Sequence, residues 1–381
     1  MTRVTPMVGR SPTEAHRSAT PLELLFDLVF VVAVAFASLE LHHAIAEDHL
    51  WEGVVGYAMV FFAVWWPWIN FTWFASAYDT DDVPYRVLTL VQLTGALIVA
   101  AGVPRLFESM DLGVALLGYV VMRLAGVTQW LRVARSDEAG RQTALRYAIG
   151  ITLVQLAWIG LYFSPEVALV PGFVALVVGE LLIPAWAERA SPTPWHREHI
   201  AERYGLFTII VLGESILSAS IAIQAASGGA GLGELAWIVV GGLLIVYSMW
   251  WLYFERPSHD ILTSLRRAFV WGYGHYFVWA SAAAVGAGIA VSIDQAKDAA
   301  VIGRTGAATS VAVPLAIYVV GVWVLLDLPH GLSKGEKAAG PVGAGAILLT
   351  PFTAQPVMFA GLVMTALIVF KVAHRPQEGA T

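Results

Sequence analysis

A chain of 381 residues that is 58% hydrophobic and only 13% charged cannot clothe itself in water-compatible surface, because a soluble domain carries roughly 25% charged residues. The formal net charge of −6 is small and the 22 Lys and Arg are scattered, which excludes the basic stripe that a nucleic-acid partner requires. With no Cys in the chain, a disulfide framework, a zinc–thiolate centre and thiol chemistry are excluded too.

Arg3, Arg10 and Arg17 precede the first apolar run, as in a signal peptide. Glu23 and Asp27 interrupt that run, however, and no small-x-small cleavage site follows it. It therefore reads as a retained first helix. About 20 mostly apolar residues cross ~30 Å of hydrocarbon, and that window predicts spans near 22–41, 52–75, 85–104, 111–133, 142–163 and 166–188. A second set follows near 202–224, 234–254, 267–292, 306–328, 339–354 and 355–373. Pro341, Pro351 and Pro356 leave two readings of the last stretch, one broken span or two. The fold expected is an all-α integral membrane protein of about twelve transmembrane helices, with the lipid bilayer as its main partner.

Charge orients these spans, since Lys and Arg stay cytoplasmic. Of the 22, only Arg105, Lys297 and Arg304 fall on outer loops when the N-terminus is placed inside, and Arg123 lies within a span. The rest, from Arg3 to Arg375, fall on inner segments, so both termini are expected in the cytoplasm. Internal symmetry points to a tandem 6+6 parallel repeat. Glu23 and Glu202, Trp65-Trp66 and Trp250-Trp251, and Arg86 and Arg267 recur at offsets of 179, 185 and 181. The organisation predicted is an N-terminal segment 1–21, a first six-helix repeat 22–188, a linker 189–201, a second repeat 202–373 and a tail 374–381. Such repeats are common in transporters, with the site at the interface between them.

Two stretches are more specific than composition. One is Thr20-Pro-Leu-Glu-Leu-Leu-Phe-Asp-Leu-Val-Phe-Val-Val-Ala-Val-Ala, which includes Phe26 and Phe30. The other is His199-Ile-Ala-Glu-Arg-Tyr-Gly-Leu-Phe-Thr-Ile-Ile-Val-Leu-Gly-Glu-Ser-Ile. With Trp250-Trp251-Leu-Tyr-Phe and Tyr273-Gly-His-Tyr, they make the chain, over nearly its whole length, similar to the bacterial low temperature requirement protein A family. Leu25 and Tyr204 each stand where that family usually has Phe. The resemblance implies a bacterial inner-membrane protein and no particular reaction. The first helix, from Phe26-Asp27 to Leu39-Glu40-Leu41, is also distantly similar to a lysosomal and bacterial potassium-channel family with a Phe-Ser-Asp signature. There the first helix of each six-span repeat lines the pore. Here the intervening Ser is absent and span seven has no Phe-Asp pair.

Ionisable groups inside spans cost about 2.5–3.5 kcal/mol on insertion scales, so they face partners or water. By helical rise, Asp27 and Asn70 lie about 8 Å deep, Glu180 and His275 about 10–12 Å, and Arg123 and Glu214 about 15–18 Å. The shared depth of Arg123 and Glu214 predicts a buried pair. Glu214, within Gly213-Glu214-Ser215, is the leading pathway candidate, although pairing with Arg opposes the raised pKa that proton carriage needs. Asp27, Arg123, Glu214, Ser215, His275, Glu180 and Asn70 thus form the candidate solute or ion pathway. Glu23, Phe26, Phe30, Glu202 and Arg203 are structural or gating candidates. Glu23 shares a helical face with Asp27 but also suits a solvated helix start, and Glu202 and Arg203 read as a latch at the membrane edge. His42 and His43 diverge on a helix, so a headgroup-level cluster is expected there rather than a metal. His275 suits a proton relay or a hydrogen-bonded interior position, the Trp pairs suit packing and interfacial anchoring, and Gly286 suits close helix packing.

No phosphate loop, His-Glu-x-x-His helix or nucleophile elbow is present, so no catalysis and no cofactor is expected. Three functions compete. The first is a transporter, with proton coupling as one form, of an unidentified small solute or ion. The second is a potassium or proton channel lined by helices 1 and 7. The third is a membrane enzyme or stress-adaptation factor acting on lipid, with His42, His43, Glu40 and Asp48 at headgroup depth.

Overall fold

The computed structural model describes residues 4–15, 17–226 and 232–374, without the side chains of 218–219, 221–223, 225–226 and 232–234. Arg3, Arg375 and the tail beyond His374 lie outside the described residues. Twelve α-helices follow one another, and there is no strand among the described residues. They are α1 Pro21–Ala46, α2 Leu50–Tyr78, α3 Val83–Ser109, α4 Gly113–Ser136, α5 Arg141–Tyr162 and α6 Leu169–Ala187. Then come α7 Arg197–Ala226, α8 Leu232–Phe254, α9 Leu265–Ala296, α10 Arg304–Val322, α11 Lys334–Leu349 and α12 Pro356–Ala373. The last stretch forms two helices, because Pro351 and Pro356 interrupt the backbone ladder between α11 and α12.

Among the described residues, ten of these elements are long and apolar enough to cross a membrane by length and composition. The other two are α7 and α11. Sixteen residues give α11 a length of only ~24 Å. α10 does not end cleanly but widens into a π turn at Trp323–Asp327 and tightens again at Leu328–His330, a local irregularity that often accompanies functional side chains.

The described residues pack as two compact units. One draws on Met1–Ala33 and Phe62–Tyr204, the other on Val34–Phe61 and Gly205–Thr381. In the first unit α3 and α4 meet through Gly95 and Gly118. A Cβ on Gly95 would stand 2.6 Å from the Gly118 carbonyl oxygen, so the backbones approach as only small residues allow. The same unit buries an aromatic layer of Trp66, Trp68, Phe71, Phe74, Tyr78 and Trp130. In the second unit α8 lies on α12 through Gly241 and Gly361. The expected role of Gly286 is met there too, since a Cβ would come within 2.8 Å of the Ser215 backbone on α7. Trp65 and Trp66 are buried while Trp250 and Trp251 are each 47% exposed, so the two pairs occupy different environments.

Candidate functional site

The N-terminus of α1 sets up the main cluster. Thr20 caps it: its hydroxyl accepts from Glu23 N–H at 3.3 Å, and Glu23 Oε2 accepts from Thr20 N–H at 2.7 Å. This reciprocal box occupies one oxygen of Glu23 and turns the other inward. That second oxygen stands 3.1 Å from Arg203 Nη1, 3.2 Å from His199 Nε2 and 3.9 Å from Arg17 Nη2. One turn further along, Asp27 Oδ1 accepts from Arg203 Nη2 at 2.5 Å and from Trp68 Nε1 at 2.8 Å. The Arg203 guanidinium therefore forks across an i, i+4 carboxylate pair, a geometry its planar set of donors suits. Glu23, Asp27, His199 and Arg203 are all 0% exposed.

Two expectations are corrected here. Glu23 is no solvated helix-start carboxylate, because its cap function and its ion pairs are satisfied inside the protein. Arg203 is buried against both carboxylates, whereas its neighbour Glu202, expected to form a latch with it, is exposed. Residues 202 and 203 point different ways because adjacent helical positions do.

Rings complete the surroundings. Phe26 stacks on Phe71 with centroids 3.8 Å apart and on Phe30 at 4.6 Å, which gives those two candidates a packing role. Tyr204 accepts from Trp73 Nε1 at 3.0 Å and meets Trp68 edge-on. Arg17 donates to Ala75 O at 3.1 Å and faces Asp79 at 3.8 Å. Asp27 Oδ2 and the Tyr85 hydroxyl have no hydrogen-bond partner among the described residues. In this buried set the carboxylates Glu23, Asp27 and Asp79 face the cations Arg17 and Arg203. Asp79 also lies 4.0 Å from Arg10 Nη1, a guanidinium that Glu14 shares.

Asp79 lies just beyond α2, and burial together with the nearby Glu23 pushes its pKa up to about 6, against the pull of Arg17. The folded state then binds more protons than the unfolded chain between pH 3.8 and about 6, so stability falls as pH rises through that window. Asp79→Asn is expected to flatten this slope in a melting-temperature series from pH 4 upwards; an unchanged slope would reassign it to another group.

Arg123 sits elsewhere in the first unit. Its Nη2 is 2.9 Å from Glu180 Oε2, and Glu180 also accepts from Trp66 Nε1 at 2.8 Å and Trp158 Nε1 at 3.3 Å. The partner of Arg123 is thus Glu180, in place of the Glu214 that depth alone suggested. Depth places a residue along a helix but not around it. Asn70 donates to Trp66 O on its own helix at 2.7 Å, beside this pair.

The remaining candidates belong to the second unit. Glu214 accepts from Ser38 at 3.3 Å, and Ser215 donates to the carbonyls of Val211 and Ala282 at 3.2 and 3.1 Å. His275 is fully buried between Trp271 and Trp279. Its Nδ1 is 2.7 Å from Trp271 O and its Nε2 2.9 Å from the Tyr253 hydroxyl. Nδ1 then carries the proton and Nε2 accepts, which is the hydrogen-bonded interior reading. His42 lies 2.6 Å from Asp294, while His43 is exposed.

A further cluster escaped sequence reasoning. Lys371 lies 3.0 Å from Asp327 and 2.5 Å from Glu255, and Arg256 lies 2.8 Å from Glu336 and 3.6 Å from Asp327. Its signal was Glu255-Arg256 closing a Trp-rich helix. His199 and Trp68 were missed as well, although His199 opens the second motif.

Ten membrane-length helices with charged groups paired in their interior define a multi-pass membrane protein. The chain matches the model of the bacterial low temperature requirement A protein (LtrA) family over residues 18–373, and it belongs to that family. It is also 32% identical over 254 residues to an uncharacterized protein of Rhizobium meliloti (strain 1021). That match covers 64% of this chain and 59% of the relative.

Proposed function

We propose that this protein is a proton-coupled transporter of a small solute in the bacterial inner membrane. It has twelve spans, both termini in the cytoplasm, and a repeat of six helices (22–188 and 202–373), and it carries no catalytic step. The observation that carries this reading is the buried Glu23–Asp27–Arg203 cluster, in which Asp27 Oδ2 has no hydrogen-bond partner among the described residues. Ionisable groups buried within membrane-spanning helices mark proton relays and substrate pathways. The cluster joins the two most distinctive segments of the chain, Thr20–Ala35 and His199–Ile216.

The helix neighbours support the repeat. α2 reaches α6 through Trp66–Glu180 and Phe62–Phe173, and α8 lies on α12. Likewise α3 packs on α4 and α4 on α5, as α9 does on α10 and α10 on α11. The arginine asymmetry supports the orientation.

Asp27→Asn tests the function, because asparagine can still accept from Trp68 while the titratable group disappears. Proteoliposomes loaded with a pH-sensitive dye and given a small-solute mixture should acidify or alkalinise faster with the wild type than with Asp27→Asn, at equal reconstitution. A passive potassium current from the wild type would favour the channel reading instead. If the wild type shows neither flux nor current, transport is refuted.

A further inference from the structure

We propose that the end of the α5–α6 hairpin carrying Arg146, Trp186 and Arg189 binds the headgroup of an anionic phospholipid, a phosphodiester with no amine of its own, as in phosphatidylglycerol. The site lies wholly within the first unit, and the binding expected below does not depend on the transport reading.

Thr143 meets Ser191, Arg146 meets Trp186 and Trp158 meets Glu180, so α5 and α6 run antiparallel. Their outer faces are apolar: Ile149 and Leu153 on α5, and Val174, Val178 and Leu182 on α6, are each at least half exposed. Both helices are of membrane length, and such a face meets acyl chains. Arg146 closes one end of it, about 8 Å along the axis from the start of α5. Its guanidinium lies over the exposed Trp186 ring, 5.5 Å from the centroid, and its Nη1 donates to Trp186 O at 3.0 Å. Indole rings at a span's end favour headgroup level. The backbone stays helical through Glu188, so Arg189, three residues beyond Trp186, shares its face, and Arg189 is exposed.

The charge of the occupant follows from what these arginines lack. Neither is ion-paired among the described residues. The adjacent acid, Glu188, is buried and spent inward: its Oε1 accepts from Tyr147 and Thr193 hydroxyls at 2.9 Å each, and its Oε2 from Thr193 N–H at 2.7 Å. One N–H of Arg146 is taken by Trp186 O, and the indole fixes the guanidinium plane. The remaining donors are thereby pre-set for phosphate oxygens, which a guanidinium binds in bidentate fashion. Basic groups between membrane helices hold anionic headgroups in this way. A zwitterionic headgroup would place its own ammonium or choline beside two guanidiniums, a like-charge contact, whereas a glycerol headgroup adds only hydroxyls.

Native mass spectrometry on the detergent-purified, delipidated protein tests this, with dioleoylphosphatidylglycerol and dioleoylphosphatidylcholine as probes of identical acyl chains. The wild type should retain the first about fivefold more strongly than the second or better. Arg146→Gln and Arg189→Gln should each weaken phosphatidylglycerol binding about fivefold, the share of one basic residue beside an anionic headgroup, and leave phosphatidylcholine unchanged. Trp186→Leu keeps the carbonyl and an apolar side chain but removes the stacking ring, so it should weaken phosphatidylglycerol by a smaller factor. Arg86→Gln is the control: Arg86 pairs with Asp81 at the start of α3, and its loss removes the same formal charge without touching the hairpin. None of these four residues is buried, so the variants should fold.

Equal weakening by Arg86→Gln would mean attraction by net charge alone and would overturn the site. Equal retention of the two lipids would overturn it too, as would phosphatidylglycerol binding untouched in the Arg146→Gln, Arg189→Gln double variant. Inorganic phosphate and glycerol 3-phosphate carry the anion without acyl chains, and in molar excess they should fail to displace the lipid. Displacement by either would assign the arginines to a soluble phosphate instead. Loss of flux in proteoliposomes leaves this site standing, and loss of the lipid preference leaves the transport reading standing.

Discussion

Arg203→Leu should leave little folded protein. Removing one partner of a buried ion pair costs about 3–5 kcal/mol because the other charge stays desolvated and unpaired, and here one guanidinium serves two carboxylates, Glu23 and Asp27. The loss should appear as a collapse of the monodisperse fraction in detergent chromatography and a large fall in melting temperature. Arg203→Lys keeps the charge but cannot reach both carboxylates in the forked geometry, so it should fall between wild type and leucine. The Arg203→Leu, Asp27→Asn double variant should recover part of the loss, since one uncompensated carboxylate is then gone. If Arg203→Leu melts within a few degrees of the wild type, the cluster does not hold these segments together.

The second large effect concerns Arg123 and Glu180. Each single change, Arg123→Met or Glu180→Gln, strands a buried charge and should cost about 3–5 kcal/mol. The double variant should be markedly more stable than the sum of the two losses, with a coupling of about 1–3 kcal/mol, because residues in one salt bridge are not additive. Glu180→Gln is the cleaner choice of the two, since its amide oxygen can still accept from Trp66 or Trp158. Glu214→Gln makes the control. Arg123 pairs elsewhere, so Arg123→Met and Glu214→Gln should be additive in thermal unfolding. Strong coupling between 123 and 214, with none between 123 and 180, would reverse the assignment.

These experiments turn on partners, which is where sequence reasoning was weakest. Arg123 and Glu214 fall at one depth, and a one-dimensional reading pairs opposite charges at one depth. The azimuth of a side chain depends on which helix packs against which, and α6 presents Glu180 flanked by the indoles of Trp66 and Trp158. Arg203 and Glu202 show the same limit. Adjacent in sequence and both charged, they read as one edge latch, yet packing buries one completely and leaves its neighbour exposed. The amides Gln92, Gln129 and Gln155 are buried too and, uncharged, gave little signal within their spans, although buried carboxamides carry similar obligations to be paired.

The sequence by itself determined that the chain is helical and membrane-embedded, and where its helices lie. Hydropathy and length are local properties, and an apolar medium forces backbone hydrogen bonds to close within each segment. The family, too, was legible in two short stretches, the ones that carry Glu23, Asp27, His199 and Arg203. The tertiary structure alone decided that those two stretches meet, that Arg203 bridges Glu23 and Asp27, and that Arg123 belongs to Glu180. Charge desolvated in a membrane protein must be matched side chain to side chain, and only the packing of helices around one another brings each group to its partner.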